Sequence, residues 1–255
     1  MNRRPKLRWI SAGELLPPAS SALDEPNGLV AAGSDLSADR LLEAYRKGIF
    51  PWYSDGQPVL WWSPDPRMVL FVDDFEPSKS LEKKMRQMLG NGRWSISMDS
   101  DFGRVMRECA KPRSGQDGTW ITEEIIGSYV ELHWRDQAHS LEVWEADELI
   151  GGLYGVSIGR MFYGESMFAR RSDASKIAFA VLLKALKQYG FHMVDCQQET
   201  AHLASMGARA IVRAEFLESV RRLASMPGPD WQQVRKSVLP AASQEGVGVR
   251  NGYAV

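Results

Sequence analysis

The fold is decided by the stretch from Ser140 to Phe168, which reads SLEVWEADELIGGLYGVSIGRMFYGESMF. Its first residues alternate between apolar and polar with a period of two, and the apolar segments 149–157 and 161–168 are typical of two further strands. The pattern then predicts a helix over 174–189 and a short strand over 191–196. Three antiparallel strands, a helix and a fourth strand indicate an α+β fold.

This order of elements is also that of GNAT-like acyltransferases, which makes coenzyme A-dependent N-acyl transfer one candidate function. A protein of that fold that binds coenzyme A needs a glycine-rich turn between strand and helix, because backbone N–H groups there hold the pyrophosphate. Here the turn from Phe168 to Asp173 reads FARRSD and contains no glycine. The sequence therefore does not indicate a coenzyme A site, although this enzyme class stays open as the alternative.

The segment upstream of this core is rich in aromatic residues and turns. From Phe50 to Arg67 it reads FPWYSDGQPVLWWSPDPR, and its four prolines exclude a helix, so the aromatic side chains are expected on loops. We expect a small N-terminal α/β domain over 1–75 that carries these loops, and a GNAT-like domain with a mostly antiparallel sheet over 76–226. The tail over 227–255 is expected to be poorly ordered, because it is rich in Pro, Gly, Ser and Gln.

Composition excludes several classes of protein. The chain has 255 residues and a formal net charge of -1, so only a local patch could bind nucleic acid. Its two cysteines are far apart without metal-ligand spacing, which argues against a disulfide framework or a zinc site. No apolar segment approaches the roughly 20 residues that cross a bilayer. We therefore expect a cytoplasmic protein without a metal, and a monomer, since no apolar edge is obvious.

Short motifs occur in order over about residues 25–216. They are EPNGL (25–29), DLS followed by RLLEAYRKGIFPWY (35–53), WWSPDPR (61–67), GTWI (118–121), AHSLEVW (138–144), GGLYGV (151–156), YGESMF (163–168), ASK (174–176), DCQ (195–197), and His202 with Ala204, Ser205, Gly207 and Ala208. Together they resemble the leucyl/phenylalanyl-tRNA–protein transferase family. The chain departs from the family pattern at Ser34, where glycine is usual, at Ala169, where serine is common, and in its longer C-terminal tail.

The resemblance implies a reaction and its partners. Enzymes of this family move Leu or Phe from Leu-tRNA or Phe-tRNA to the α-amine of a protein that begins with Lys or Arg, which marks that protein for the N-end rule pathway. The reaction is aminolysis of an activated ester and uses no ATP, metal or other cofactor. An α-amine with a pKa of ~7.7–8.0 is a sufficient nucleophile once it is well positioned. A non-catalytic RNA-binding module is a third candidate, which would predict more positive charge.

Three polar residues within these motifs are the candidate catalytic groups. Asp195 and Gln197 lie at i and i+2 at the end of a strand, so both side chains are expected on one face, where they can act on one atom. We assign Gln197 to hold or relay a proton of the attacking amine and Asp195 to orient it, with direct base action by Asp195 less favoured. Glu165 is expected to contact the α-amine of the esterified amino acid or to organise the site. The alternatives are a polar pair that only ends the strand, and an ion pair of Glu165 with Arg170 or Lys176.

An apolar pocket for the transferred side chain is the next requirement. Methionine adapts to both Leu and Phe, and apolar residues are available on the sheet and the long helix. The residues assigned to the pocket are Leu153, Phe162, Met167 and Phe179. The alternative for each of them is ordinary core packing.

The tRNA requires stacking surfaces and cations. Trp52 and Trp120 are assigned to the terminal adenosine, because exposed aromatic rings stack on bases, whereas Trp61 and Trp62 are expected in core packing. Phosphates of the acceptor stem are assigned to a cationic stripe on a helix predicted over 78–89, and the alternative is an ordinary solvated helix face. The residues of this stripe are Lys79, Lys83 and Arg86.

Overall fold

The computed structural model describes residues 7–112 and 119–238, which form two β-sheets with helices packed around them. The smaller sheet contains β1 (Arg8–Ile10), β2 (Leu29–Gly33), β3 (Phe50–Pro51) and β4 (Val59–Trp62). Its strand order is β1-β2-β4-β3, with β1 and β2 parallel and the other pairs antiparallel.

The larger sheet contains the strands that the sequence pattern predicts. Its described members are β5 (Arg67–Phe71), β6 (Trp94–Met98), β7 (Ala138–Glu145), β8 (Glu148–Ile158), β9 (Met161–Ala169), β10 (Met193–Gln197) and β11 (Arg209–Ile211). The order is β11-β5-β10-β9-β8-β7-β6. β7, β8 and β9 pair antiparallel, and β10 pairs parallel with β9. The predicted order of elements and the α+β class with a mostly antiparallel sheet are therefore confirmed.

Helices cover the sheets, and several of them begin at a hydroxyl cap. They are α1 (Ala38–Arg46), α2 (Lys79–Gly90), α3 (Phe102–Ala110), α4 (Glu123–Trp134), α5 (Ala174–Gln188), α6 (Ala201–Ala204), α7 (Arg213–Ala224) and α8 (Trp231–Val238). Ser37, Ser78 and Thr122 each accept a backbone N–H in the first turn of α1, α2 and α4. Gly151 lets α5 approach β8, since a Cβ there would lie 2.5 Å from Ala174 Cβ. Within 7–112 and 119–238, no helix has the length and apolar character needed to span a bilayer.

The two sheets share a continuous core, and the pairing of β5 disagrees with the expected boundary at residue 75. β5 pairs with β10 and β11 in the larger sheet, although that boundary assigns it to the N-terminal domain. The side chain of Tyr163 in β9 also donates a hydrogen bond to the Tyr45 carbonyl in α1 (2.9 Å). The N-terminal segment therefore carries the smaller sheet and α1, and it ends before β5.

The beginning of the C-terminal tail is ordered, which corrects the expectation for 227–238. α8 buries Trp231, whose ring stacks on His139 with centroids 3.6 Å apart. Arg235 of the same helix donates to Asp99 over 2.6 Å. The sequence did not predict this short amphipathic helix, because the tail as a whole is rich in polar residues, Pro and Gly. Residues 239–255 lie outside the described residues.

Candidate active site

A cavity of about 1170 Å³ lies between the β3–β4 segment of the smaller sheet and strands β8, β9 and β10. It gathers most of the residues that the sequence assigned to catalysis or to substrate contact. Those in its wall are Trp52, Trp120, Leu153, Phe162, Glu165, Met167, Phe179 and Gln197. Four others, which the structure also describes, lie outside this wall: Lys79, Lys83, Arg86 and Asp195.

Glu165 is the central carboxylate of this cavity. Its oxygens accept hydrogen bonds from the hydroxyls of Tyr45 (2.7 Å) and Tyr129 (3.1 Å) and from Nε2 of Gln197 (2.9 Å). Burial and, to a smaller extent, the charge of Asp195 raise its pKa, the three hydrogen bonds oppose the rise, and together they move the pKa from 4.5 to about 7. Glu165 can therefore exchange a proton or hold an ammonium group near neutral pH.

The alternative for Glu165, a structural ion pair, is wrong. Arg170 binds Glu108 over 2.6 Å, and Lys176 lies 3.8 Å from Asp173. Neither cation contacts Glu165. Arg170 lies just beyond the end of β9 and Lys176 lies in the first turn of α5, whereas Glu165 is held by tyrosine hydroxyls.

Asp195 is fully buried and bound to an arginine from β5. Its two oxygens accept from Nε (2.8 Å) and Nη2 (2.7 Å) of Arg67, and Oδ1 also accepts the backbone N–H of Gln197 (2.9 Å). Both oxygens are therefore engaged, and Asp195 does not line the cavity. The orienting role of Asp195 stays a prediction.

The structure does not bring Asp195 and Gln197 onto one atom, which corrects the i, i+2 expectation. A bulge interrupts β10 between them, and Gln197 has a positive φ of 61°. The Asp195 carboxylate therefore contacts the backbone of Gln197, while the Gln197 side chain reaches Glu165. The i, i+2 expectation holds only for a regular strand, because a bulge breaks the alternation of faces.

Apolar side chains form part of the cavity wall. All four residues assigned to the amino-acid pocket lie in its wall, next to Leu182, Val194 and Cys196. The four are Leu153, Phe162, Met167 and Phe179. Their part in binding Leu or Phe stays a prediction.

Tryptophan side chains form another part of the cavity wall. The Trp52 side chain is 42% exposed and meets Trp62 edge to face, and Nε1 of Trp62 donates to the Trp52 carbonyl over 2.6 Å. Trp120 is half-buried. Trp61 is buried in the core as expected, whereas Trp62 also lines the cavity. Gly118, the first residue of the GTWI motif, lies outside the described residues.

The cationic stripe on α2 is exposed and away from the cavity wall. Lys79, Lys83 and Arg86 face solvent, while the apolar residues of the helix pack against the larger sheet. Their assignment to tRNA phosphates stays a prediction. Between them, Lys84 ties α2 to the turn before α5 by donating to the Ser172 carbonyl (2.8 Å) and to Asp173 (2.9 Å).

The turn before α5 is occupied by a carboxylate. Asp173 has a positive φ of 68°, and the hydrogen bond and charge of Lys84 hold the Asp173 pKa below its usual range. A negative side chain at this helix N-terminus disfavours a pyrophosphate there. In the part of the chain that the structure describes, no three His, Cys, Asp or Glu side chains converge on a point that could hold a metal ion.

Three residues of the site were not assigned from the sequence, namely Arg67, Tyr45 and Tyr129. The tyrosines lie on apolar helix faces, and a buried hydroxyl needs a hydrogen-bond partner, which is the signal that could have revealed them. Arg67 begins a buried strand, where a guanidinium requires an anion.

Comparison with known proteins gives the family of the chain. A family model described as leucyl/phenylalanyl-tRNA protein transferase matches residues 69–221, and the model of its N-terminal domain matches residues 34–65. A leucyl/phenylalanyl-tRNA--protein transferase of Bordetella avium is 53% identical over 232 residues, which cover 89% of this chain and 93% of the relative. That of Burkholderia vietnamiensis is 49% identical over 248 residues, which cover 96% and 98%.

The solved structure of FemX is similar over 86% of this chain and 84% of the FemX chain, at 12% sequence identity and with a TM-score of 0.44. A likeness of that size carries no argument about function. The family models and the curated relatives decide the matter, since together they span most of the chain at about half identity. This chain belongs to the leucyl/phenylalanyl-tRNA–protein transferase family.

Proposed function

We propose that this protein transfers Leu or Phe from Leu-tRNA or Phe-tRNA to the α-amine of proteins that begin with Lys or Arg. The new N-terminal residue would mark the acceptor for the N-end rule pathway. The observation that carries the proposal is the contact of Glu165 with Gln197 in a cavity whose wall also contains apolar side chains and exposed tryptophan. Membership of the family supports aminoacyl-tRNA as the donor.

The proposed reaction is attack of the acceptor α-amine beside Gln197. The amine lone pair forms a C–N bond at the ester carbonyl carbon, and the ribose oxygen leaves with the electrons of the broken C–O bond and a proton. Nε2 of Gln197 donates to Glu165, so the amide turns Oε1 toward the N–H that the amine must lose. In this proposal Asp195 orients Gln197 through the backbone and takes no proton itself.

Glu165 is proposed to hold the α-ammonium group of the esterified amino acid. Its pKa of about 7 means that the free enzyme carries both protonation states near neutral pH. A cation beside the carboxylate favours the ionised form and lowers the pKa again. Binding of the donor would thus fix the charge of Glu165, while Tyr45 and Tyr129 fix its position.

The remaining surfaces are proposed to select the substrates. The apolar part of the cavity wall would accept Leu and Phe alike, because a pocket discriminates between apolar side chains by only about 1–3 kcal/mol. Trp52 and Trp120 would stack on the terminal adenosine, and the α2 stripe would contact phosphates of the acceptor stem. The residues proposed for the apolar part of the wall are Leu153, Phe162, Met167 and Phe179, and those of the stripe are Lys79, Lys83 and Arg86.

The proposal includes no cofactor, a monomeric enzyme and a cytoplasmic location, where tRNA and new proteins are both present. Each of these points has a direct measurement. A chelator and removal of ATP should leave the rate unchanged, equilibrium sedimentation should give the mass of one chain, and fractionated cells should retain the protein with the soluble tRNA.

The test of the function combines purified protein with Phe-tRNA and a peptide that begins with Arg, without ATP or coenzyme A. Peptide mass should rise by one Phe residue. The same peptide with an acetylated N-terminus is the matched control and should not change. If acetyl-coenzyme A modifies the peptide and Phe-tRNA does not, the coenzyme A alternative replaces the proposal; tRNA binding without any change in mass would favour an RNA-binding module.

A further inference from the structure

Arg67 has an unusually constrained environment for a charged residue. It is fully buried at the start of β5 and binds both oxygens of Asp195 with Nε and Nη2. Its guanidinium lies between two aromatic rings, 4.6 Å from the centroid of Phe50 and 4.5 Å from that of Phe216. These contacts come from β3, β10 and α7, so one side chain joins three distant parts of the chain.

Stability alone is a poor explanation for this pair. Taking two charges out of water costs free energy that their attraction only partly offsets, and apolar residues of similar volume often stabilise a protein as well or better. Nη1 of Arg67 is in addition buried without a hydrogen-bond partner among the described residues, which adds an unfavourable term. An arrangement that holds geometry at the expense of stability is typical of a functional site.

The geometry that Arg67 holds leads directly into the cavity. Oδ1 of Asp195, fixed by Nε of Arg67, accepts the backbone N–H of Gln197. This hydrogen bond spans the bulge and holds Gln197 at a positive φ of 61°, a conformation that a residue other than glycine rarely adopts unless its surroundings impose it. The Gln197 amide is then directed at Glu165, 2.9 Å away.

We propose that Arg67 is a positioning residue for the transfer reaction, because its two hydrogen bonds fix the Asp195 carboxylate that sets the backbone of Gln197. This inference rests on the proposed function and extends it to a residue that does not line the cavity. Arg67 touches no substrate. It acts through Asp195 on the direction of the Gln197 side chain, and so on the rate of the chemical step rather than on substrate binding.

Two variants test this role, with thermal unfolding measured first for each. Arg67→Lys keeps the charge but loses the planar pair of donors that binds both carboxylate oxygens. The double variant Arg67→Met with Asp195→Leu removes both charges and should fold, since it leaves no buried ion unpaired. Ile96→Ala is the control, because Ile96 is buried in β6, four strands from β10.

We expect kcat to fall about 100-fold in both Arg67 variants, as for a small misplacement of a reacting group. KM for Phe-tRNA and for the Arg peptide should stay within about threefold of wild type, which a general loss of structure would not give. Ile96→Ala should lower Tm and leave kcat unchanged. If Arg67→Lys does not fold, the double variant tests the Arg67–Asp195 pair as one unit, and a wild-type kcat in that variant overturns the inference.

A folded Arg67 variant with a kcat within about threefold of wild type would overturn the inference and leave the proposed function intact. A double variant with the kcat and the Tm of wild type would also overturn the inference, because the Arg67–Asp195 pair would then be structural only. Absence of transfer by the wild-type protein would instead overturn the proposed function, and the inference with it.

Discussion

The raised pKa of Glu165 makes the stability of this protein depend on pH in a predictable direction. A carboxyl group whose pKa is 4.5 in the unfolded chain and about 7 in the folded protein keeps its proton longer when folded. The unfolded state therefore loses that proton first as pH rises, and the free energy of unfolding falls between pH 4.5 and 7. This difference between the two pKa values corresponds to a change of roughly 3 kcal/mol in the free energy of unfolding.

The Glu165→Gln variant isolates this contribution, because Gln has nearly the same shape and does not titrate. Urea unfolding of both proteins at constant ionic strength should show the wild type losing about 3 kcal/mol relative to the variant between pH 4.5 and 7, with no further change above 7. The comparison cancels other carboxyl groups such as Asp99, whose pKa is lowered and whose effect has the opposite sign. A relative change below about 1 kcal/mol would refute the reasoning, since Glu165 would then titrate as an ordinary exposed carboxyl group.

Three further predictions concern residues around the cavity. Asp195→Ala leaves the Arg67 guanidinium buried without its anion, so urea unfolding should show a loss of about 3–5 kcal/mol together with loss of transfer; near-normal stability would contradict the buried pair. Trp52→Ala should weaken tRNA binding by about 1–3 kcal/mol in a filter-binding titration, whereas Trp134→Ala, which removes a tryptophan that is 76% exposed on α4, should not. Replacement of the α2 stripe by alanine should reduce the salt dependence of tRNA affinity, which is the slope of log affinity against log salt concentration. The double variant Arg221→Ala/Arg222→Ala, which removes two other exposed cations, is the control. Equal slopes for the stripe variant, the control and wild type would refute the phosphate role. The stripe consists of Lys79, Lys83 and Arg86.

Local patterns predicted the central part of the fold. Alternation around 141–144, two further apolar segments and the helix over 174–189 define β7, β8, β9 and α5, since each of these signals lies within one element. The domain boundary depends instead on β5, which pairs with β10 more than 100 residues later along the chain, as Val69 opposite Asp195 shows. Such a pairing leaves no local signal.

The residues of the site were more predictable from the sequence than the hydrogen bonds between them. Eight assigned residues reach the cavity wall, because the strands and loops that carry them were placed correctly. The bulge at Gln197 could not be read from the tripeptide DCQ, so the separate partners of Asp195 and Gln197 were missed. Arg67 became visible only when the fold brought β5 beside β10. The resemblance to the family indicated the reaction, and only the structure showed which site residues bind one another.

The most direct test of the account is a mass spectrum of the peptide product after incubation of the wild-type protein with Phe-tRNA and a peptide that begins with Arg. The account predicts one added Phe, located by fragmentation immediately before the Arg. An unmodified peptide, or a Phe attached to a side-chain amine, would contradict it.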